Sequence, residues 1–114
     1  DLYNKSALTI LDILIEKLKK NKIMIILDNH SSDAGWCCNL NDGNGLWYTE
    51  NYSEGSWLFS WIKIISRYLN NPYVIGVDLR NELRNVTMNN VTLTPTWGTN
   101  DTLTDWRLAA TKAG

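Results

Sequence analysis

Short apolar segments alternate with amphipathic helices along this chain, and that order constrains its fold more than any other feature. Residues 7–20 have the apolar periodicity of a helix, and the apolar run 23–27 follows almost at once. Residues 57–69 repeat the helical pattern, and a second apolar run covers 73–79. Strands that alternate with helices form parallel β/α units with right-handed crossovers. The sequence therefore predicts an α/β fold with parallel strands.

Each predicted helix has one apolar face. Both predicted strands are apolar at nearly every position, which is typical of parallel strands buried on both faces. Ser53 or Ser56 is expected to cap the second helix, and a third helix is expected to begin at Asp105. The predicted apolar faces consist of Ala7, Ile10, Leu11, Leu14 and Leu18 in the first helix and of Trp57, Trp61, Ile64, Ile65 and Tyr68 in the second.

Long polar segments follow both predicted strands, whereas the returns from helix to strand are short. The segment 83–104 has no recognisable pattern and is predicted to be a loop. In parallel α/β folds the functional residues lie at the C-terminal ends of the strands. His30 and the pair Asn81-Glu82 end neighbouring strands, so we expect all three side chains at one edge of the sheet.

Glu82 is the candidate for proton transfer at this edge. A carboxylate at the end of an apolar strand is expected to be partly desolvated, which would raise its pKa into the range where it donates a proton. Asn81 offers a donor and an acceptor that suit a sugar hydroxyl. Local sequence is equally compatible with a structural Glu82 that caps a helix or pairs with Arg80 or Arg84. A lone His after a strand, such as His30, is more often a structural hydrogen-bonding residue than a catalytic one.

Composition narrows the functional classes. The net charge of −1 and the scattered basic residues argue against a nucleic-acid partner, and the apolar runs are too short to cross a membrane. No cofactor motif is present. One His and no HxH or HxxE spacing make a metal site unexpected. Six Trp and five Tyr against one Phe are typical of a sugar-binding surface, although core or interface packing is the more common reason for any single Trp.

The cysteines and glycosylation motifs bear on the compartment and on the extent of the chain. Cys37 and Cys38 are adjacent, so distant partners are expected, and their absence from the chain indicates that it is incomplete. Clustered sequons are typical of a secreted eukaryotic protein. The six sequons begin at Asn4, Asn29, Asn51, Asn85, Asn90 and Asn100.

Three stretches carry a resemblance to a known family. "IMIILDNH", "LWYTENYSEGSWLFSWIKIISRYLNNPYVIGVDLRNEL" and "DWRLAATKAG" together resemble the middle of glycoside hydrolase family 5, the cellulase family. The resemblance covers nearly the whole chain. It implies that residues 1–114 are an internal fragment of one catalytic TIM (β/α)8 barrel, from the helix before barrel strand three to the helix after strand four.

The resemblance also implies chemistry: hydrolysis of β-glycans with retention of configuration by two glutamates. Glu82 would be the general acid/base, Asn81 would hold the 2-hydroxyl of the cleaved sugar, and His30 would line the same subsite. The nucleophilic glutamate would belong to barrel strand seven, which this chain does not contain. Three aromatic residues of the loop after His30 are candidate sugar platforms: Trp36, Trp47 and Tyr48.

We therefore expect an extracellular, N-glycosylated endo-β-1,4-glucanase that acts on β-glucan polysaccharide or oligosaccharide without a cofactor. A β-mannanase or β-1,3-glucanase of the same family is the nearest alternative. Two further alternatives are a catalytically dead carbohydrate-binding barrel and a metal-dependent barrel hydrolase that uses Asp28 and His30. No oligomeric state follows from the sequence.

Overall fold

The computed structural model describes residues 1–35 and 42–114. Within these residues the strands Ile25–Asp28 (β1) and Val74–Asp78 (β2) pair in parallel, with Asp28 opposite Asp78. The predicted order of helix, strand, helix, strand and helix is confirmed, with two further short strands between the second parallel strand and the last helix. None of the described helices is long and apolar enough to cross a membrane. In chain order the elements are α1 Ala7–Lys20, β1 Ile25–Asp28, α2 Glu54–Tyr68, β2 Val74–Asp78, β3 Val86–Met88, β4 Val91–Leu93 and α3 Trp106–Ala113.

Side-chain caps set the beginnings of the helices. The Ser6 hydroxyl accepts a hydrogen bond from the Thr9 backbone N–H (3.2 Å) at the start of α1. Of the two serines considered for α2, Ser53 is the cap, because its hydroxyl accepts from the Ser56 N–H (3.2 Å). The helix therefore begins three residues earlier than its apolar periodicity predicts.

The core lies between the two-stranded sheet and the helices. Ile15, Ile25 and Leu27 are buried there together with Trp57 and Trp61. The Nε1–H groups of both tryptophans donate to the Leu79 carbonyl, each at 3.1 Å. Because a buried indole N–H needs a partner, these two bonds fix α2 over the C-terminal end of β2.

Two expectations about burial are wrong. Ile26 and Ile75, in β1 and β2, are 63% and 56% exposed, so the strands are not covered on both faces. In the described residues the parallel sheet consists of these two strands alone. In α1 the buried residue is Ile15, whereas Leu14 is half exposed, because the helix turns Ile15 toward the core.

The segment predicted to be a patternless loop contains an antiparallel hairpin of β3 and β4. Asn89 and Asn90 form its turn with φ of 49° and 62°, which Asn tolerates better than most residues do. Val86 and Met88 are buried on one face of the hairpin. The signal was local: two asparagines separate two short runs of alternating polarity.

The buried carboxylate of Asp105 caps the start of α3, at the position where the sequence predicts that a third helix begins. Asp105 is fully buried and accepts from the backbone N–H groups of Gly98 (2.9 Å), Asn100 (2.8 Å) and Arg107 (3.0 Å). Burial by itself raises the pKa of Asp105, but these donors outweigh it and the pKa is lowered. One side chain thus caps α3 and holds the preceding loop.

Candidate active site

The ladder between β1 and β2 continues past the strands and brings the candidate residues together. The Asn29 N–H donates to the Asp78 carbonyl, and the Asn81 N–H donates to the Asn29 carbonyl, both at 3.1 Å. As a result His30 and Asn81, 51 residues apart, lie side by side with 3.5 Å between His30 Nε2 and Asn81 Nδ2. The expected shared edge therefore exists for these two residues.

A short chain of hydrogen bonds orients the Asn81 amide. His30 Nδ1 lies 2.9 Å from Asp28 Oδ2. A carboxylate accepts from Nδ1–H, so Nε2 carries the lone pair and accepts from the Asn81 Nδ2–H. The side-chain oxygen of Asn81, Oδ1, is then left to accept a hydrogen bond from a ligand. About half of the His30 side chain is open to solvent (52%), so a ligand can reach this chain of bonds.

Glu82 lies in the same small crevice, and its backbone has a positive φ of 41°. A non-glycine residue in this conformation costs on the order of 1–2 kcal/mol, and such residues occur often at functional sites. Glu82 is exposed, so the expected desolvation of its carboxylate is not found in the described residues. The crevice is lined by His30, Ser31, Asp42, Asn44, Asn81, Glu82 and Arg84.

The structural alternative for Glu82 required that it cap a helix or pair with Arg80 or Arg84. The observed helix caps are Ser6, Ser53 and Asp105. Arg84 instead bonds both carboxylate oxygens of Asp42, at 2.7 and 2.8 Å, and the bonds of Arg80 go to backbone carbonyls. Among residues 1–35 and 42–114, no hydrogen bond or ion pair involves the Glu82 carboxylate. Within the described residues the Glu82 side chain is therefore exposed and does not pair with either arginine.

Two residues that the sequence did not single out fold the loop after β1 onto the site. Asn44 Oδ1 accepts from the backbone N–H groups of Ser32 and Asp33, each at 3.0 Å. Asp42 Oδ1 accepts from the Asn44 N–H at 2.8 Å as well as from Arg84. The composition of "DGNG" indicates a turn, but no local pattern indicates the bond to Arg84, which lies 42 residues away.

Trp47 is not placed to be a sugar platform. The residue is fully buried, and its Nε1–H donates to Glu54 Oε2 at 2.9 Å. Its ring packs against Tyr48 and Trp106, with 5.5 Å between ring centroids in each pair. Because neighbouring side chains cover the ring, a sugar cannot stack on it in this structure, and the alternative of core packing holds.

Of the other two aromatic candidates, Tyr48 lies within the described residues and Trp36 does not. Tyr48 is half buried, its hydroxyl donates to the Leu103 carbonyl at 2.9 Å, and burial raises its pKa. Trp36 lies outside the described residues, as do Cys37 and Cys38. Trp97 is 70% exposed in the loop before α3 and was not a candidate from sequence. Its exposure depends on what packs beside it, which periodicity does not reveal.

The metal alternative rested on Asp28 and His30. The structure pairs these two side chains with each other. Within residues 1–35 and 42–114 there is no group of three or more His, Cys, Asp or Glu side chains arranged to hold a metal ion.

Comparison with known proteins decides the family. Residues 1–113 match the family model described as "Cellulase (glycosyl hydrolase family 5)". The chain belongs to glycoside hydrolase family 5. The resemblance drawn from the three sequence stretches is thus confirmed for essentially the whole chain.

Two curated relatives of this family 5 chain are endoglucanases by name. An endoglucanase of Paenibacillus polymyxa is 41% identical over 114 residues, which is all of this chain and 25% of the relative. The major extracellular endoglucanase of Xanthomonas campestris pv. campestris is 36% identical over 110 residues, 96% of this chain and 20% of the relative. The chain therefore spans about a quarter or less of these relatives.

Solved structures agree with the family and the fold. The catalytic domain of the Xanthomonas campestris endoglucanase superposes with a TM-score of 0.77 at 34% identity, over 99% of this chain and 29% of that one. A cellotetraose complex of the endocellulase from Pyrococcus horikoshii gives 0.80 at 34% identity, over 100% of this chain and 30% of that one. The family 5 chain thus has the fold of part of a TIM barrel, as predicted.

Proposed function

We propose that this protein hydrolyses β-glycans with retention of configuration, as an endo-β-1,4-glucanase. The observation that carries the proposal is the crevice in which Glu82 lies beside the bonded pair His30 and Asn81, within a chain of glycoside hydrolase family 5. The relatives named endoglucanases and the cellotetraose complexes support the choice of a β-1,4-glucan substrate.

In the proposed mechanism Glu82 first donates a proton to the glycosidic oxygen of the leaving group. It then removes a proton from the water that releases the glycosyl-enzyme. Among the described residues the Glu82 carboxyl group has no hydrogen-bond partner, so it can bond the glycosidic oxygen directly. The retaining mechanism needs a second carboxyl group about 5 Å away. By the family resemblance this nucleophile comes from a later barrel strand, outside these 114 residues.

Asn81 and His30 hold the sugar at the point of cleavage. The amide donates to His30 Nε2, so its carbonyl oxygen accepts a hydrogen bond from the 2-hydroxyl. Hydrogen bonds to this hydroxyl strengthen in the transition state of glycoside hydrolysis. His30 lines the same subsite and, through Asp28, keeps the tautomer that this orientation needs.

The location and the partners follow from the same proposal. An enzyme that cleaves a polysaccharide must meet it outside the cell, and one relative is named a major extracellular endoglucanase. We therefore propose secretion, with N-glycosylation at some of the sequons. The proposed partner is β-glucan polysaccharide or oligosaccharide.

The decisive experiment is Glu82→Gln in the full-length protein. The variant should lose turnover of cellulose but still react with an aryl β-cellobioside, whose leaving group needs little protonation. The glycosyl-enzyme should then accumulate, and azide should restore turnover with a product of retained configuration. Mannan and β-1,3-glucan assayed beside cellulose would identify the preferred glycan.

Glu16→Gln is the matched control, because Glu16 is exposed on α1 and pairs only with Lys19 among the described residues. This variant should retain wild-type activity. Turnover of cellulose by Glu82→Gln at the wild-type rate would show that Glu82 is not the acid/base.

A further inference from the structure

Arg80 is a buried cation next to the site, and among the described residues its bonds all go to the backbone. The residue is 5% exposed and lies directly before Asn81 and Glu82. Its Nε–H donates to the Leu46 carbonyl at 3.0 Å. Its two terminal nitrogens donate to four more carbonyls: Nη1 to Asn29 (3.4 Å), His30 (2.5 Å) and Asn81 (3.3 Å), and Nη2 to Asn44 (2.5 Å).

These five carbonyls come from three segments that are far apart in sequence. One segment follows β1 and carries His30, one lies in the long loop at 44–46, and one follows β2 and carries Asn81. Burial lowers the pKa of Arg80, and the nearby charge of Arg84 adds to this. Removing a guanidinium from water costs free energy, which the hydrogen bonds to the carbonyls offset.

The geometry of the donor group matters here. A guanidinium presents five N–H groups in one rigid plane, whereas a lysine ammonium has three donors around a single atom. Lysine therefore keeps the charge, but three donors on a single atom cannot bond the five carbonyls that Arg80 holds. Arg80→Lys removes the planar donor group without removing the cation.

We propose that Arg80 is a positioning residue of this site. Its guanidinium holds the backbone carbonyls of His30 and Asn81. It thereby sets the distance between the two side chains and the direction of the Asn81 side-chain oxygen, Oδ1. Arg80 does not touch the substrate. The inference deepens the proposed function and rests on it for the identity of the ligand, namely the 2-hydroxyl of a β-glucoside.

The test uses the full-length protein with Arg80→Lys and Arg80→Gln. The substrates are an aryl β-cellobioside and the same compound lacking the 2-hydroxyl of the cleaved sugar. Wild type should strongly prefer the hydroxylated substrate. Arg80→Lys should lower kcat on it by about 100-fold, since misplacing a group by about 1 Å can cost that much. The variant should hardly change the rate on the deoxy substrate.

Arg67→Gln is the matched control. Arg67 also bonds through a planar guanidinium, but its partner is Asp12 and it joins α2 to α1 away from the crevice. Arg67→Gln should lower Tm without changing the preference for the 2-hydroxyl. If Arg80→Lys likewise lowers only Tm and leaves that preference intact, Arg80 is structural and the proposal is overturned.

A measurement that needs no activity separates the two proposals. In ¹⁵N NMR the Asn81 side-chain amide, assigned by its absence in Asn81→Ala, should shift in Arg80→Lys, because its bond to His30 Nε2 depends on the positions of both residues. If wild type cleaves no β-glucan but this signal shifts as expected, the proposed function fails and the positioning role stands. An unchanged signal in a folded Arg80→Lys protein would overturn the positioning role, whatever the activity.

Discussion

A methyl group added at Gly45 should destabilise the protein because there is no space for it. The Cβ would lie 2.5 Å from the Arg84 carbonyl oxygen, 2.9 Å from the Asn85 carbonyl oxygen and 2.8 Å from Val86 Cβ. Two of these atoms belong to the backbone, so a side-chain rotation does not relieve the contact. Gly45→Ala must therefore displace the loop or the chain leading into β3.

The displacement would also strain hydrogen bonds that hold the site. The Gly45 carbonyl accepts from the Arg84 N–H at 2.9 Å, and the carbonyls on either side, of Asn44 and Leu46, accept from Arg80. Overpacking a tight site costs about 1–3 kcal/mol, and a weakened backbone hydrogen bond adds about 1 kcal/mol. We expect a loss of about 3 kcal/mol in the free energy of unfolding.

Urea denaturation of the full-length protein followed by tryptophan fluorescence measures this loss, and Gly55→Ala is the control. Gly55 lies in α2, where an added Cβ meets only Ser53 Oγ at 3.7 Å. Since Ala favours a helix over Gly by up to about 1 kcal/mol, Gly55→Ala should be neutral or stabilising. Equal urea midpoints for the two variants would refute the close approach at Gly45.

Three further predictions concern pH, burial and the extent of the chain. Hydrogen bonds from Arg67 and Tyr68 lower the pKa of Asp12 from 3.8 to about 2. Because the folded protein holds the ionised carboxylate more strongly than the unfolded chain does, these bonds stabilise the fold fully above about pH 4, and the stabilisation is lost as the pH falls toward 2. The Tm of Asp12→Asn should therefore lie below that of wild type at pH 6, and the gap should close near pH 2; a constant gap would contradict this. Trp47→Ala should cost about 3–5 kcal/mol of stability, measured by urea denaturation, because the ring is fully buried; a loss of substrate affinity at unchanged stability would instead indicate a platform. Residues 1–114 expressed alone should release no reducing ends from carboxymethyl-cellulose. The proposed second carboxylate is absent from them, and in the part of the chain that the structure describes both edges of the parallel sheet are unpaired. Release of reducing ends that Glu82→Gln abolishes would contradict this.

The sequence by itself determined the order of the three helices and the two parallel strands, and the edge at which the site lies. Helix 7–20 was predicted with its observed bounds, because apolar periodicity is a local property of the chain. His30 and Asn81 were expected together because parallel strands end at the same edge of a sheet, and their side chains do meet. The placement of these two residues needed only the direction of the strands.

Only the tertiary structure decided which side chains are covered and which are open. Trp47 and Trp97 both lie in polar loops, yet one is fully buried and the other is 70% exposed, because exposure depends on residues that pack from elsewhere in the chain. The exposure of Glu82 and the hydrogen bonds of Arg80 likewise depend on how distant segments of the chain pack together. Arg80 bonds carbonyls as far as 51 residues away, and no local pattern encodes contacts between segments that only folding brings together.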